Sequence, residues 1–263
     1  MKIEKLLIAV KFHYDAERLK DLSQISSQFK SLADNVTTVI VTNTSDKDCQ
    51  KSIHNAIEND IELFVPEPLS DPFRLTWCHF DIFKDRFKND PSITHFMYLE
   101  DDIQIQPNNI EYWLKGREEL KIHKLIPSFC RYEVKDDRKY SVDNENSKKL
   151  QKLKYVSISD EYSYVNLDSV YQGMYLLDRE LTEEHLFGPG VDVKKRYHGI
   201  REQAAQGLSH TNIPANFNTR YAVGFNTNTK KIDPNALIHH VNNRYVNIPS
   251  TGFGKLPIDN LIL

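Results

Sequence analysis

The chain lacks the glycine-rich segments by which many nucleotide-binding proteins announce themselves. No GxxxxGK[ST] and no GxGxxG occurs, so neither a P-loop nor a dinucleotide fingerprint is available to hold phosphate. The first apolar run is followed by Lys11-Phe12-His13-Tyr14-Asp15, with no glycine at all. Cysteine is scarce: Cys49, Cys78 and Cys130 are scattered without CxxC spacing. That excludes a disulfide framework or a structural zinc ribbon and leads us to expect reduced thiols in a cytoplasmic setting. No apolar stretch reaches the length of a membrane span. The N-terminal residues alternate Lys, Glu and Lys before a short apolar run, which reads as a first strand rather than a signal segment. Without such a segment, the glycosylation sequons at Asn35 and Asn43 read as chance matches. Net charge is −3, which argues against a nucleic-acid partner bound through a global basic field.

What is present is enough apolar residue for a core. Hydrophobic residues make up 40% of 263 and charged residues 27%, a globular composition compatible with one large α/β domain. Leu6 to Val10 is a continuous apolar run, expected to be a strand buried on both faces. Asp15 stands where an N-cap would start a helix through Leu19, Leu22, Ile25 and Phe29. Val36 to Val41 and Ile61 to Val65 read as the next two strands, with a polar loop over Thr42 to Asp46. Leu75 to Phe87 has helical spacing, and a fourth strand leads through His95-Phe96-Met97-Tyr98-Leu99. This alternation predicts a mostly parallel sheet. Further on we expect a helix over Asn109 to Leu120, strands over Ile126 to Glu133, Lys154 to Ile158 and Tyr171 to Leu177, and helices over Asp178 to Leu186 and Arg201 to Gly207. Lys135 to Lys154 reads as an exposed polar excursion, and the tail from Asn212 as irregular. No linker divides the chain, which is read as a single domain, 1–263.

The feature that points to chemistry is Glu100-Asp101-Asp102 at the end of the fourth strand. Three adjacent carboxylates repel one another unless a cation sits among them. Oxygen-only ligands suit hard cations, Mg²⁺ or Mn²⁺. The C-terminal end of a strand is where open α/β sheets bind ligands. The plain alternative is a solvated acidic turn. A second candidate cation ligand lies in the tail, where His239 and His240 point to opposite faces of an extended segment.

A glycine-free α/β start, an acidic triplet closing the fourth strand and a late histidine resemble the nucleotide-sugar-dependent glycosyltransferases of the GT-A fold. Arg201-Glu202-Gln203-Ala204-Ala205, Pro214, Phe217, Arg220-Tyr221, the segment Ile238 to Tyr245 and Phe253-Gly254-Lys255 carry the same resemblance, toward bacterial members. It implies a GT-A-like, Rossmann-like α/β fold with a mostly parallel central sheet flanked by helices and a small antiparallel acceptor-side extension. Residues about 1–105 would form the nucleotide-binding half, and about 106–263 the acceptor-side half and C-terminal tail. It implies transfer of a sugar from a UDP- or GDP-linked donor to a saccharide or lipid-linked saccharide acceptor, in bacterial capsule or lipopolysaccharide synthesis. Glu100-x-Asp102 stands in place of the family's DxD motif, with Glu where the first Asp usually is.

Under that resemblance Asp102 is the leading metal ligand, with His240, or His239, as the second. Glu100 and Asp101 contact the metal, its waters or the ribose. Lys11, His13, Tyr14, Thr42, Asn43, Asp71 and Arg74 are the candidate donor contacts, and Arg244 or Lys255 a phosphate contact. Mn²⁺ or Mg²⁺ would act as a Lewis acid toward the leaving diphosphate. Inversion at the sugar requires a general base, for which Glu202 fits best, with Asp192 and Asp178 as alternates; retention requires none. The basic stretch Lys148 to Lys154 reads as a solvated loop or helix face, with peripheral contact to an anionic inner-membrane face or a lipid-linked acceptor as the alternative. Tyr155, Tyr162, Tyr164, Tyr171 and Tyr175 are candidates to line an acceptor cleft. A sugar-phosphate nucleotidyltransferase and a non-enzymatic, cation-dependent carbohydrate-binding domain remain the alternatives.

Overall fold

A computed structural model describes residues 2–143, 150, 154–168, 171–192 and 199–262. The protein is a mixed α/β structure. In chain order its strands are β1 (Ile3–Phe12), β2 (Ala33–Thr42), β3 (Ile61–Phe64), β4 (His95–Glu100), β5 (Ile103–Gln104), β6 (Ile126–Pro127), β7 (Cys130–Lys135) and β8 (Arg138–Ser141). They continue with β9 (Tyr155–Ser157), β10 (Tyr162–Asn166), β11 (Met174–Asp178), β12 (Tyr221–Asn226), β13 (Lys231–Ile232), β14 (Leu237–His240) and β15 (Leu256–Pro257). The helices are α1 (Leu19–Ser26), α2 (Lys47–Ala56), α3 (His79–Asn89), α4 (Pro107–Leu120), α5 (Arg179–Phe187), α6 (Ile200–Ala204) and α7 (Arg244–Asn247). The chain divides into two compact units, one of residues 2–104 and 173–208, the other chiefly of 105–172 and 209–263.

The first unit is built on a sheet of order β11-β4-β1-β2-β3. The pairs β1–β2, β1–β4 and β2–β3 are parallel, and β11 closes the β4 edge antiparallel. Leu6, Leu7, Ile8, Ala9 and Val10 are all fully buried. A central parallel strand is covered on both faces, so a continuous apolar run suits it where an alternating one would not. From β1 the chain moves outward to β2 and β3 on one side, then returns to place β4 on the other. The C-terminal ends of β1 and β4 therefore flank a topological switch point, the position at which open α/β sheets form their ligand crevice.

Side-chain caps start two helices of this unit, α2 and α5. Asp46 accepts from the N–H groups of Asp48 and Cys49 and starts α2. Asp178 accepts from Leu181 and starts α5. Asp15, expected to cap a helix directly, caps a 3₁₀ turn over Ala16–Arg18 from which α1 continues. The later helix of the first unit ends at Ala204, short of the expected Gly207. The strand expected from Tyr171 starts at Met174, after Gly173 at φ +64°.

The second unit holds two groups of strands. One runs β13-β12-β10-β9, with β6 paired to β12. In the other, β15, β8, β7 and β14 lie side by side. Three expectations are corrected here. The run Ile126 to Glu133 is split into β6 and β7, so that one segment serves both groups. The polar excursion contains β8, returned against β7 by a two-residue turn with Asp136 at φ +48° and Asp137 at φ +58°, a left-handed pair suited to tight hairpins. The tail read as irregular contains β12, β13, β14, α7 and β15. The basic stretch Lys148 to Lys154 lies mostly outside the described residues; Leu150 is buried and Lys154 exposed. No helix among the described residues is long and apolar enough to cross a membrane.

Two histidines are sealed in the core of the first unit. His79 Nδ1 lies 2.5 Å from the Thr76 carbonyl, and its Nε2 meets the Tyr175 hydroxyl. His185 is 2% exposed, and neither ring nitrogen has a hydrogen-bond partner among the described residues. Burial pushes both imidazoles down to about 3. The unfolded chain takes up these protons near pH 6.5, the folded chain only near pH 3. Stability is therefore full above pH 6.5 and is lost as pH falls through that window. Denaturant melts between pH 7.5 and 4.5 should show this decline, about 1.4 kcal/mol per pH unit for each histidine at most. His185→Phe should make the slope shallower without loss of stability at pH 7.5, since it removes an unsatisfied buried group.

Candidate functional site

The chemistry-bearing residues gather where the sheet topology puts a crevice. Lys11, the penultimate residue of β1, is the register partner of Glu100, the last residue of β4. The chain then turns, and Asp101 and Asp102 follow. All three carboxylates are buried, at 7%, 0% and 6% exposure. Among the described residues, Arg18 and Lys11 form ion pairs with the two aspartates. One guanidinium nitrogen of Arg18, Nη2, lies 2.8 Å from Asp101 Oδ1 and 3.1 Å from Asp102 Oδ2. Lys11 Nζ lies 3.9 Å from Asp101 Oδ1.

The three carboxylates are buried, whereas the Arg18 side chain is about a third exposed, at 31%. Burial, with the neighbouring Asp102 charge, pushes Asp101 up to about 7 against the pull of Lys11 and Arg18. Its second oxygen, Oδ2, is buried with no hydrogen-bond partner among the described residues.

A cavity of about 290 Å³ opens beside this cluster, with Lys11, His13, Arg18 and Arg201 on its walls and Phe73 and Thr76 opposite. Asp15 is the acidic residue of that lining. The wall is assembled by one long-range hydrogen bond. Trp77 Nε1 donates to the Ile200 carbonyl at 2.8 Å, tying the 3₁₀ turn that carries Phe73 and Thr76 to the start of α6, which carries Arg201. Phe73 is 57% exposed, an apolar ring left at the surface next to a cationic hollow.

Glu100 is held from behind by β11. Its N–H donates to the Gly173 carbonyl at 2.8 Å, and Tyr98 Oη lies 3.5 Å from its carboxylate. A Cβ on Gly173 would stand 3.2 Å from Glu100 Oε2, so the glycine supplies both the left-handed backbone and the room for the carboxylate.

Neither the comparison with protein-family models nor that with curated proteins gives a match.

The expected site residues divide into three groups. Lys11 and His13 line the cavity; Lys11 and the lining residue Arg18 reach the carboxylates of Asp101 and Asp102 beside it, and Glu100 is the register partner of Lys11. Tyr14, Thr42, Asn43, Asp71 and Arg74 lie in the same unit but are not in the cavity wall. Asn43 accepts from the Tyr14 N–H at 2.8 Å, and Asp71 caps the turn that carries Phe73. Thr42 is fully buried, its hydroxyl without a hydrogen-bond partner among the described residues. Of the candidate bases, Glu202 lies in the first turn of α6, 3.2 Å from Arg201. Asp192 follows a 3₁₀ turn and is part-exposed. Asp178 is committed to capping α5.

His239, His240, Arg244 and Lys255 belong to the second unit. His240 Nδ1 donates to Glu133 Oε1 at 2.6 Å, and the other Glu133 oxygen accepts from Val246 N–H. Burial raises the Glu133 carboxyl, but these hydrogen bonds prevail and hold it below its ordinary value. His239 stacks on Tyr132 at 5.0 Å. Arg244 is exposed. Lys255 donates to the Tyr245 and Val246 carbonyls, a structural use of a side chain expected to meet phosphate. The tyrosines expected to line an acceptor cleft differ in exposure and in unit. Tyr162 lines a cavity of about 980 Å³ in the second unit, Tyr164 is buried, Tyr155 is exposed, and Tyr175 lies in the core of the first unit. Sequence reading did not single out Arg18, Phe73, Thr76 or Arg201 as site residues: Arg18, Phe73 and Thr76 sit in short 3₁₀ turns, and Arg201 enters only as part of the segment that carries the resemblance.

Asp101 and Asp102 suit a divalent cation by their chemistry. They present adjacent buried oxygens, one of which, Asp101 Oδ2, has no hydrogen-bond partner among the described residues. Mg²⁺ and Mn²⁺ sites commonly use one or two carboxylates and complete the shell with water and ligand phosphate. Among the described residues no group of three or more His, Cys, Asp and Glu is assembled as a cation site, so the remaining ligands would come from a bound molecule.

The conformation of Gly173 gives a direct test. Gly173→Ala should lower stability by about 1–2 kcal/mol from the left-handed backbone alone, with more from the contact on Glu100. Thermal melts of the variant read the loss; an unchanged melting temperature would show that β11 accommodates a Cβ there.

Proposed function

We propose that the chain is a divalent-cation-dependent glycosyltransferase of the GT-A type, moving a sugar from a nucleotide donor to a saccharide acceptor. The observation that carries this reading is the buried acidic triplet at the C-terminal end of β4, across from Lys11 of β1 and beside a hollow walled by Lys11, His13, Arg18 and Arg201. Carboxylates that favour a cation, next to cations that favour an anion, fit a cation–diphosphate pair better than either partner alone. The exposed ring of Phe73 on the same wall offers an apolar surface for a base or sugar.

On this reading Asp101 and Asp102 hold the cation and Glu100 contacts it, its waters or the ribose. When bound, the cation supplies Lewis-acid stabilisation of the leaving diphosphate. Lys11, Arg18 and Arg201 neutralise phosphate oxygens and orient the donor in the hollow. The half-exposed carboxylate of Glu202, beside Arg201, is the candidate to accept the acceptor's proton in an inverting reaction. The acceptor belongs to bacterial surface polysaccharide assembly, and the donor is UDP- or GDP-linked; both rest on the sequence resemblance alone.

A thermal-shift panel of UDP, GDP, CDP and CMP, each with Mn²⁺ and with EDTA, tests the reading. One nucleotide should raise the melting temperature with Mn²⁺, through about 2.7 kcal/mol at a hundredfold excess over Kd, and EDTA should remove the shift. Asp102→Ala should abolish both the shift and sugar transfer while leaving the fold intact. A shift from Mn²⁺ alone, with none from any nucleotide, would replace this reading with a structural cation site in a binding module.

A further inference from the structure

We infer that Arg18 is a resident counter-ion that a divalent cation must displace, and that the displaced guanidinium then binds the diphosphate. This rests on the proposed reading of the acidic triplet as a cation–diphosphate site. A single nitrogen of Arg18 reaches both Asp101 and Asp102, at 2.8 and 3.1 Å. It therefore bridges the two carboxylates, as a cation shared by them would. A guanidinium and a divalent ion cannot both hold that place, because like charges at such separation repel.

The two sides of the contact differ in freedom. The Asp101 side chain is fully buried and that of Asp102 nearly so, whereas that of Arg18 is about a third exposed, at 31%. Its backbone is fixed: Asp15 caps the turn, and Arg18 N–H donates to the Asp15 carbonyl at 3.0 Å. Among the described residues its ion pairs are with Asp101 and Asp102. The side chain can leave without moving the chain, and it already lines the cavity with Lys11, His13 and Arg201. A guanidinium there presents a planar fork matched to phosphate oxygens.

Cation and nucleotide are then coupled through one side chain. Each alone meets an occupied partner: the cation finds Arg18 on its carboxylates, and the diphosphate finds the Arg18 guanidinium at the cavity wall already engaged by Asp101 and Asp102. Together they release it in the useful direction, so each raises the affinity of the other by the same factor.

The experiment is a titration of the intact chain with Mn²⁺ alone, followed by paramagnetic resonance, then with UDP and with GDP at saturating Mn²⁺, for wild type, Arg18→Gln, Arg18→Lys and Asp102→Asn. Circular dichroism melts verify that each variant is folded. Arg18→Gln should bind Mn²⁺ about tenfold more tightly than wild type, a surface-discounted charge effect, and bind nucleotide about tenfold more weakly. These opposite changes are the signature, since a merely structural residue would move both the same way. Arg18→Lys should keep the wild-type Mn²⁺ affinity and still lose nucleotide affinity, so it carries the test if the Gln variant does not fold. If Arg18→Gln binds Mn²⁺ no more tightly while Asp102→Asn abolishes binding, the transferase reading stands and the exchange is overturned. If wild type binds neither Mn²⁺ nor either nucleotide, the transferase reading fails and takes this inference with it.

Discussion

Charge compensation at the C-terminal ends of β1 and β4 is the constraint around which the first unit is arranged. Three carboxylates are drawn out of water by a strand that the core requires to be apolar up to its last residue. The sheet answers with Lys11 from the neighbouring strand, and the turn after β1 answers with Arg18. Gly173 leaves space for Glu100 on the other side. Even so, burial and the neighbouring Asp102 charge raise the protonation range of Asp101. A fold selected only for stability would replace such a cluster with apolar side chains, because buried ionic groups are at best a small net gain. Its presence at the switch point of the sheet is why the site, rather than the fold, carries the functional reading.

The sequence was informative where burial is two-sided or a cap is explicit. Leu6 to Val10, Val36 to Val41 and His95 to Leu99 are strands because their apolar runs fill both faces of a parallel sheet, and Asp178 announces α5. It was silent where a short element buries little. Helix α2 buries Ile53 alone and is otherwise polar. Strand β8 reads as loop because its residues are charged and its partner lies in the preceding segment. Strand β12 contains Gly224, which looks like a break, yet a Cβ there would collide with the Tyr162 hydroxyl; the glycine marks close packing. The acidic half of the site was legible as a motif. The basic half was legible only in part: Lys11 and His13 follow from their place at the end of the first strand, whereas Arg18 and Arg201 acquire meaning only through tertiary contacts.

The second unit shows how side chains that look like ligands serve as struts. Glu133 spans from β7 to the imidazole of His240 on β14 and to the backbone of α7, joining three elements with one carboxylate. Lys255 closes the same helix from below by taking two of its carbonyls. In each case a strong donor or acceptor meets a group that would otherwise be left unsatisfied in a buried place.

The antiparallel strand β11 has a consequence for how the chain comes into being. The first unit is discontinuous in sequence: β4 ends at Glu100, and the strand that covers its edge begins at Met174. Between them lies most of the earlier half of the other unit. On a ribosome adding about 5–20 residues per second, β4 waits for several seconds with its edge and its acidic end unprotected. The nascent sheet must therefore be kept from pairing with strangers over that interval. The burden falls on the charges that follow β4, because a strand edge ending in three carboxylates is a poor template for intermolecular pairing.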